Sequence, residues 1–487
     1  MFAHRIPQKI AVSVVYVSAM FMAIMDITIV NVTLPKLATD FGVAPDHIDG
    51  VVVGFLVSLA IFIPASGWLG DRFGMKRMLL TAIVIFTGAS ALCGLSQSLT
   101  QLVIFRILQG VGGGMLTPIG MALLFRTFPP AERVRASRLL IIPTAFAPAL
   151  GPVLGGLLVT DVSWRWVFYV NLPIGVAALI FGVLFLKEHK EPDAGRFDVG
   201  GFVLAGTGLP ALMYALSEGP SRGWTSPLII AIGIAGIALL VALVRYELWV
   251  SAPMIDLRLV GNRLFRSSTL IIFIGMAAFL GTLYVVALFF QDGLGLTALN
   301  AGLSTFPEAI GVMIGAQIST RLYPDIGPRR LIAGGLVCVA LLALAMTLVG
   351  FSTSLWVPRV LMFLLGLSIA HVFTPTQAAA FATISLPSTG RASTLFNTSR
   401  QLGSAVGVAI LTTVISAVGV AHQFHGRSQA NLAAFHWAFV VAAGLALVAA
   451  RFALTVVDAD AAPTMVKRPS KRAIARQASA ELATQHG

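Results

Sequence analysis

The sequence predicts an all-α polytopic membrane protein of fourteen transmembrane helices, arranged as two similar six-helix bundles plus two extra helices. Three observations lead there. The chain has 487 residues, is 57% hydrophobic with a mean hydropathy of +0.90, and is only 11% charged, against about 25% in a soluble domain. It divides into apolar runs near the ~20 residues needed to cross a bilayer. All Lys and Arg except Lys36, Arg106, Arg165, Arg222, Arg359 and Arg427 fall on one side when the N-terminus is placed in the cytoplasm, which is the asymmetry that orients membrane proteins.

Taken in order, the spans lie near 11–33, 48–69, 78–97, 101–125, 136–159 and 167–186, then 198–217 and 227–246, then 268–290, 302–321, 331–350, 356–377, 393–417 and 434–456. The first is too long for a signal-peptide core, carries an acid and lacks a clear cleavage site, so it reads as a retained helix. After the second comes Gly67-Trp-Leu-Gly70-Asp71-Arg72-Phe-Gly74-Met-Lys-Arg77, a tight turn whose glycines allow close backbone passage and whose cations anchor one membrane face. The fourth holds Arg106 and a glycine run, Gly110–Gly114. The fifth holds Pro148, Gly151, Pro152 and Gly155; the small-xxx-small glycines permit close helix contact and each proline removes a backbone donor. The tenth carries Glu308 inside it, just after Phe306-Pro307, and the twelfth carries Arg359 and His371.

The chain echoes itself. Asp325–Arg330 follows span ten as Asp71–Arg77 follows span two, and Arg359 with Gly366 in span twelve matches Arg106 with Gly110 in span four. Spans one to six therefore pair with nine to fourteen, an arrangement that places a transporter's site between two halves at the midplane. The expected units are 1–186 (first bundle), 187–260 (linker with two helices), 261–456 (second bundle) and 457–487 (a basic tail, expected to be disordered or a short surface helix). Basic loops account for the net charge of +13 and exclude nucleic acid as a partner. Cys93 and Cys338 lie in apolar runs and imply no disulfide framework. No Walker sequence, metal-ligand cluster or nucleophile elbow occurs, so no enzyme and no ATP-driven engine is expected.

Charges inside apolar spans are costly and mark function. Asp26 and Arg106 fall at similar depth in the outer half. If their helices are neighbours, they form either a switchable proton-coupling pair or a static pair locking the fold. Glu308 reads as a cation-recognition or proton-transfer group, or as a wetted mouth residue. His371 reads as a titrating group or a histidine hydrogen-bonded in the core. Asp198 and Asp292 read as charges at span ends. Candidate pocket residues are Phe21, Met22, Met25, Asn31, Gln109, Met115, Phe279, Tyr284, Gln291, Gln377, Asn397 and Gln401, because flexible Met and flat aromatic side chains suit a permissive site.

Several segments carry a family resemblance: Asp26–Pro35, Gly67–Arg77, Arg106-Ile-Leu-Gln-Gly110, Gly151-Pro-Val-Leu-Gly155-Gly156, Trp164–Gly175 and Asn397-Thr-Ser-Arg-Gln-Leu-Gly403. Together they resemble the fourteen-helix drug:proton antiporter branch (EmrB/QacA type) of the major facilitator superfamily. The resemblance implies the major facilitator fold and export of hydrophobic or cationic amphipathic small molecules by alternating access. Protons are then the coupling ion, with no other cofactor, and Asp26 and Arg106 form the coupling core. It implies a gate built from Gly67, Gly70, Asp71, Arg72, Gly74, Arg77 and the span-five prolines and glycines. Location in the bacterial inner membrane, with both termini cytoplasmic, follows. The expected partners are substrates, protons and lipid, with a periplasmic adaptor and outer-membrane channel left open. The alternative is an exporter or importer of one metabolite, such as an amino acid, siderophore or organic acid.

Overall fold

The structure, a computed structural model, describes residues 6–43, 48, 50–191, 195–251, 253–419, 421–424 and 427–466. The first bundle comprises α1 (Gln8–Phe41), α2 (Gly50–Phe73), α3 (Met75–Leu95), α4 (Leu99–Thr127), α5 (Arg133–Asp161) and α6 (Trp166–Phe185). A hairpin of α7 (Val199–Arg222) and α8 (Pro227–Trp249) follows. The second bundle comprises α9 (Arg263–Leu288), α10 (Pro307–Ile326), α11 (Pro328–Met346), α12 (Trp356–Ala380), α13 (Thr389–Val418) and α14 (Leu432–Ala453).

Among the described residues, 12 helices, all but α5 and α10, are long and apolar enough to cross a membrane. α5 has 29 residues. α10 is less apolar because Glu308, Gln317, Arg321 and Asp325 lie along it. The expected continuous span at 302–321 is in fact broken. A short helix, Ala298–Thr305, ends at Phe306 and α10 restarts on Pro307, which lacks the N–H that would continue the ladder. A second departure lies between α13 and α14, where β1 (Ala421–Phe424) and β2 (Arg427–Ala430) pair antiparallel with Ala421 opposite Ala430. α1 also runs to Phe41 and closes on Gly42 at φ 64, beyond the expected end near 33. The basic tail after 466 lies outside the described residues.

Both bundles use the same packing scheme. α1 lies on α5, α2 on α4 and α3 on α6; likewise α9 lies on α13, α10 on α12 and α11 on α14. Glycine makes the closest crossings. A Cβ at Gly110 would lie 2.5 Å from the Phe55 carbonyl oxygen, and one at Gly315 would lie 2.5 Å from that of Leu367. Gly366 abuts the Glu308 backbone in the same way. The helix-joining turns also match. Gly74 (φ 102) joins α2 to α3, and Gly327 (φ 81) joins α10 to α11, a conformation glycine adopts without strain.

One apolar core lies within the second bundle, while the core of the first bundle continues across into α9, the end of α12 and α13 at Phe265, Met276, Phe381 and Phe396 and into the α7–α8 hairpin at Leu209 and Leu243. The α7–α8 hairpin packs against α2 and α13. α8 is the least enclosed helix, exposing Ile230, Ile234, Ile237, Val241, Val244 and Leu248, as a helix facing lipid would.

Candidate functional site

Asp26 and Arg106 meet. α1 and α4 pack together, and the Asp26 carboxylate, fully buried, accepts a 2.5 Å bond from Arg106 Nη1. Gln109 Nε2 and Asn171 Nδ2 donate to its other oxygen at 2.8 and 3.0 Å. Arg106 also donates to Gln109 Oε1 at 2.7 Å and, through Nε, to the Val51 carbonyl at 3.2 Å. Its guanidinium stacks 4.2 Å from the Phe55 ring centroid. Asn171 donates to Ser90 Oγ at 3.1 Å, and Ser90 in turn donates to the Phe168 carbonyl at 2.8 Å. The network thus draws on α1, α2, α3, α4 and α6. An ion pair this deep is tolerable only because charge-assisted bonds satisfy both partners. Chemically, the cluster holds one carboxylate against one guanidinium with two amide donors, so a proton added to Asp26 would release Arg106 and Gln109 to other acceptors.

Sequence reasoning assigned Gln109 to a substrate pocket. The structure places it inside this network at 0% exposure, because one helical turn after Arg106 carries its side chain to the same face. Met22 is likewise within the first bundle, its sulfur 3.9 Å from Thr87 Oγ1. Asn171 and Ser90 were missed. The signal for Asn171 was its place in the Trp164–Gly175 segment; Ser90 gave none.

The other candidates scatter. Met25 and Met115 are buried, Phe21 is partly buried, and Asn31, Tyr284 and Gln291 are exposed, Gln291 in a π-helical turn at Phe289–Gly293. Phe279 packs edge-on to Phe373 at 5.4 Å within the second bundle. Asn397 and Gln377 both donate toward Met121 Sδ of α4, at 3.3 and 3.9 Å, so these two lie where the bundles face each other. Gln401 lines a small groove with Ala60, Ile63, Leu209, Met213, Thr398 and Leu402, between α2, α7 and α13. His371 Nδ1 bonds the Leu367 carbonyl at 2.8 Å and packs toward Gly335, which is the core-histidine arrangement. Glu308 is partly buried at the start of α10 and makes no side-chain hydrogen bond or ion pair with the Asp26 cluster.

The Gly67–Arg77 segment, expected as a turn, is the end of α2 and the start of α3 with only Gly74 outside a helix, and its residues gather at one end of the molecule, where the bundles are joined. A Cβ on Gly67 would lie 2.5 Å from Thr394 Oγ1 of α13. Asp71 is 4% exposed, accepts from Arg126 Nη2 at 3.0 Å, and faces Gly390 in the first turn of α13, where the helix dipole favours an anion. Arg126 also bonds Glu191 at 3.2 Å and, across to the second bundle, the Pro387 carbonyl at 3.3 Å. Phe125 stacks on Phe381 at 4.4 Å, and Ser393 donates to the Pro118 carbonyl at 2.7 Å. Gly70 is buried, whereas Arg72 and Arg77 are exposed; Arg77 lies 3.8 Å from Glu188. Pro148, Gly151, Pro152 and Gly155 all lie within α5, which stays helical throughout. Gly151 packs directly on Thr28 of α1.

Two buried acids outside these clusters organise the α7–α8 hairpin. Asp198 stands at the end of its span, as expected, and is 6% exposed; it caps α7 through the Gly201 N–H at 2.8 Å, while its second oxygen accepts from Met254 N at 3.2 Å. Glu247, which sequence reasoning did not single out, is fully buried beside it and accepts from Ile255 N at 3.1 Å.

The Major Facilitator Superfamily profile matches residues 16–408. The chain is 30% identical over 450 residues to "Putative multidrug resistance protein MdtD" of Serratia proteamaculans (strain 568), covering 92% of this chain and 94% of that protein. It is 29% identical over 406 residues to "Multidrug resistance protein B homolog" of Mycobacterium tuberculosis (strain ATCC 25618 / H37Rv), covering 82% and 75%. Among solved structures, it superposes on the human organic anion transporter MFSD10 with a TM-score of 0.65 at 15% identity, covering 92% of this chain and 100% of that one. The proton:xylose symporter XylE follows at 0.61 and 16%, covering 91% and 95%.

Proposed function

This chain belongs to the major facilitator superfamily, and we propose that it is a proton-coupled exporter of amphipathic small molecules, working as a multidrug efflux transporter by alternating access. The observation that carries the proposal is the Asp26 carboxylate, fully buried and bonded to Arg106, Gln109 and Asn171. A buried ionisable acid in the bilayer interior is the group a proton cycle needs, and its partners have other acceptors available when it is neutral. The names of the relatives support multidrug efflux. The basic loops support fourteen spans, counting α5 and α10, with both termini and the Asp71 end in the cytoplasm of a bacterial cell. In that orientation the bundles are closed on the cytoplasmic side by the Asp71–Arg126 cluster.

In the cycle, protonation of Asp26 from the outer side frees Arg106 and Gln109, the Asp71 contacts part, and release of the proton inward restores the network around a reloaded site. Glu308 at the head of α10 modifies cation recognition. The test is purified protein in liposomes carrying an imposed pH gradient and fluorescent amphipathic substrates. Gradient-driven flux in wild type, lost by at least about tenfold in Asp26→Asn at equal reconstitution, is the expected result; undiminished driven flux in Asp26→Asn removes the acid from the mechanism.

A further inference from the structure

Arg400 lies inside α13, not in a loop. It stands about 16 Å along the helix from Thr389 and about 27 Å from Val418 at 1.5 Å per residue, so its guanidinium is at membrane depth. Arg106, a buried cation of the first bundle, has a carboxylate, an amide and a carbonyl around it. Arg400 has none of these among the described residues. Its Nε is buried without a hydrogen-bond partner. The ionisable side chain acting on it is Tyr16 of α1, across the bundle interface, and Tyr16 spends its own hydroxyl proton on the Thr117 carbonyl at 3.0 Å.

The neighbouring amide is polar, but its donor side is engaged and only its acceptor oxygen is free. Asn397 sits one turn before Arg400 on the same face, is 2% exposed, and has its Oδ1 buried without a partner. Its Nδ2 reaches Ser393 O and the soft sulfur of Met121. One to two turns earlier along α13 the bundles are in contact through Ser393 on Pro118 and Gly67 on Thr394, and Arg400 stands beyond that contact, toward the middle of the helix. An uncompensated cation in that position is costly unless something pairs with it during the cycle. The Asp26 carboxylate is already committed to Arg106.

We propose that Arg400 forms an anion subsite where α13 faces α1, which binds a carboxylate or sulfonate carried by an amphipathic organic substrate. Arg supplies a planar fork of donors for a two-oxygen anion, while the Asn397 amide one turn earlier keeps its own donor on Ser393 O. This refines the substrate class of the exporter reading and rests on it. Substrates of the transporter then include amphipathic organic anions, beyond the hydrophobic and cationic compounds expected from sequence.

The experiment uses the full chain in nanodiscs and three probes: 8-anilinonaphthalene-1-sulfonate, its uncharged counterpart N-phenyl-1-naphthylamine, and ethidium. Wild type should bind the sulfonate about tenfold or more tightly than the neutral amine at low salt, as expected for a charge-assisted bond. Arg400→Gln should bring that ratio close to one with unchanged affinity for the neutral amine. Asn397→Asp, which places a carboxylate beside the guanidinium, should do the same, and Arg400→Lys should retain part of the preference. A wild type with no sulfonate preference, or an unchanged ratio in Arg400→Gln, overturns the subsite. If Arg400→Gln fails to fold by size exclusion, an unchanged ratio in Asn397→Asp overturns it instead. Liposome flux under a pH gradient separates the two claims. Driven flux of ethidium with an unchanged sulfonate ratio sinks the subsite and leaves the exporter; an Arg400-dependent ratio with no driven flux of any probe sinks the exporter and leaves the subsite.

Discussion

At the scale of residues, the difference between Arg106 and Arg400 is one of company. Both are guanidiniums inside helices, yet only Arg106 is 1% exposed with an acid at bonding distance. Removing one member of such a pair strands the other, at a cost of about 3–5 kcal/mol. Arg106→Met should therefore unfold earlier in a thermal melt than Asp26→Asn, which keeps the shape and much of the bonding, while both lose driven flux. Asn171→Leu removes one donor to the carboxylate and one to Ser90 and should lower stability by about 1.5–3 kcal/mol; an unchanged melting temperature would mean that the amide is not bonded as described. The sequence made Asp26 and Arg106 visible because charge is rare in apolar runs. It could not make Asn171 or Ser90 visible, since a small polar residue in a membrane helix is common and its importance lies in what it touches.

At the scale of elements, the internal repeat extends to a detail that the sequence did not announce. Glu188, in the chain beyond α6, accepts the Lys76 and Arg77 N–H groups at 3.0 and 3.2 Å and so caps α3. Asp458, in the chain beyond α14, accepts Arg329 N at 2.9 Å and caps α11. Each carboxylate fills the space where a Cβ on Gly74 or Gly327 would stand. Glu188→Ala and Asp458→Ala should each cost about 1 kcal/mol, and the double variant should show the sum, because distant sites add; a chemical or thermal melt of the set checks both statements. Glycine crossings are stiffer. At Gly315 a side chain would press on the backbone of α12, which cannot rotate away, so Gly315→Val should cost about 1–3 kcal/mol or abolish folding, read as lost monodisperse protein.

At the scale of the molecule, the two bundles are joined at the Asp71 end, and the α7–α8 hairpin bridges them. Near the α7 start, Trp68 packs on Phe197 at 4.8 Å and donates to Gly195 O at 3.4 Å; past α7, Trp224 Nε1 donates to Thr413 Oγ1 of α13 at 2.8 Å. The hairpin thus touches α2 of one bundle and α13 of the other, and any rocking between them must slide along it. A cysteine pair, Gly67→Cys with Thr394→Cys, in a Cys338→Ser background should cross-link under mild oxidation, stop transport and recover it on reduction. Full transport by the cross-linked protein would show that this end does not open.

The sequence by itself determined the membrane class, the helix order, the twofold repeat and the pair of charges at matching depth. Hydropathy, loop charge and spacing are local properties that a bilayer enforces on any chain. Tertiary structure alone decided which polar groups are spent and which are not. Gln109 moved from an expected pocket into the Asp26 network, Glu247 joined Asp198 as a buried anchor of the hairpin, and Arg400 emerged without a counter-ion among the described residues. The break at Phe306–Pro307 and the β1–β2 pair belong with these, since a proline or a short polar loop permits several backbones. The physical reason is common to all of them: the cost of a polar group in a membrane is set by its partners, and partners from other helices are not adjacent in sequence.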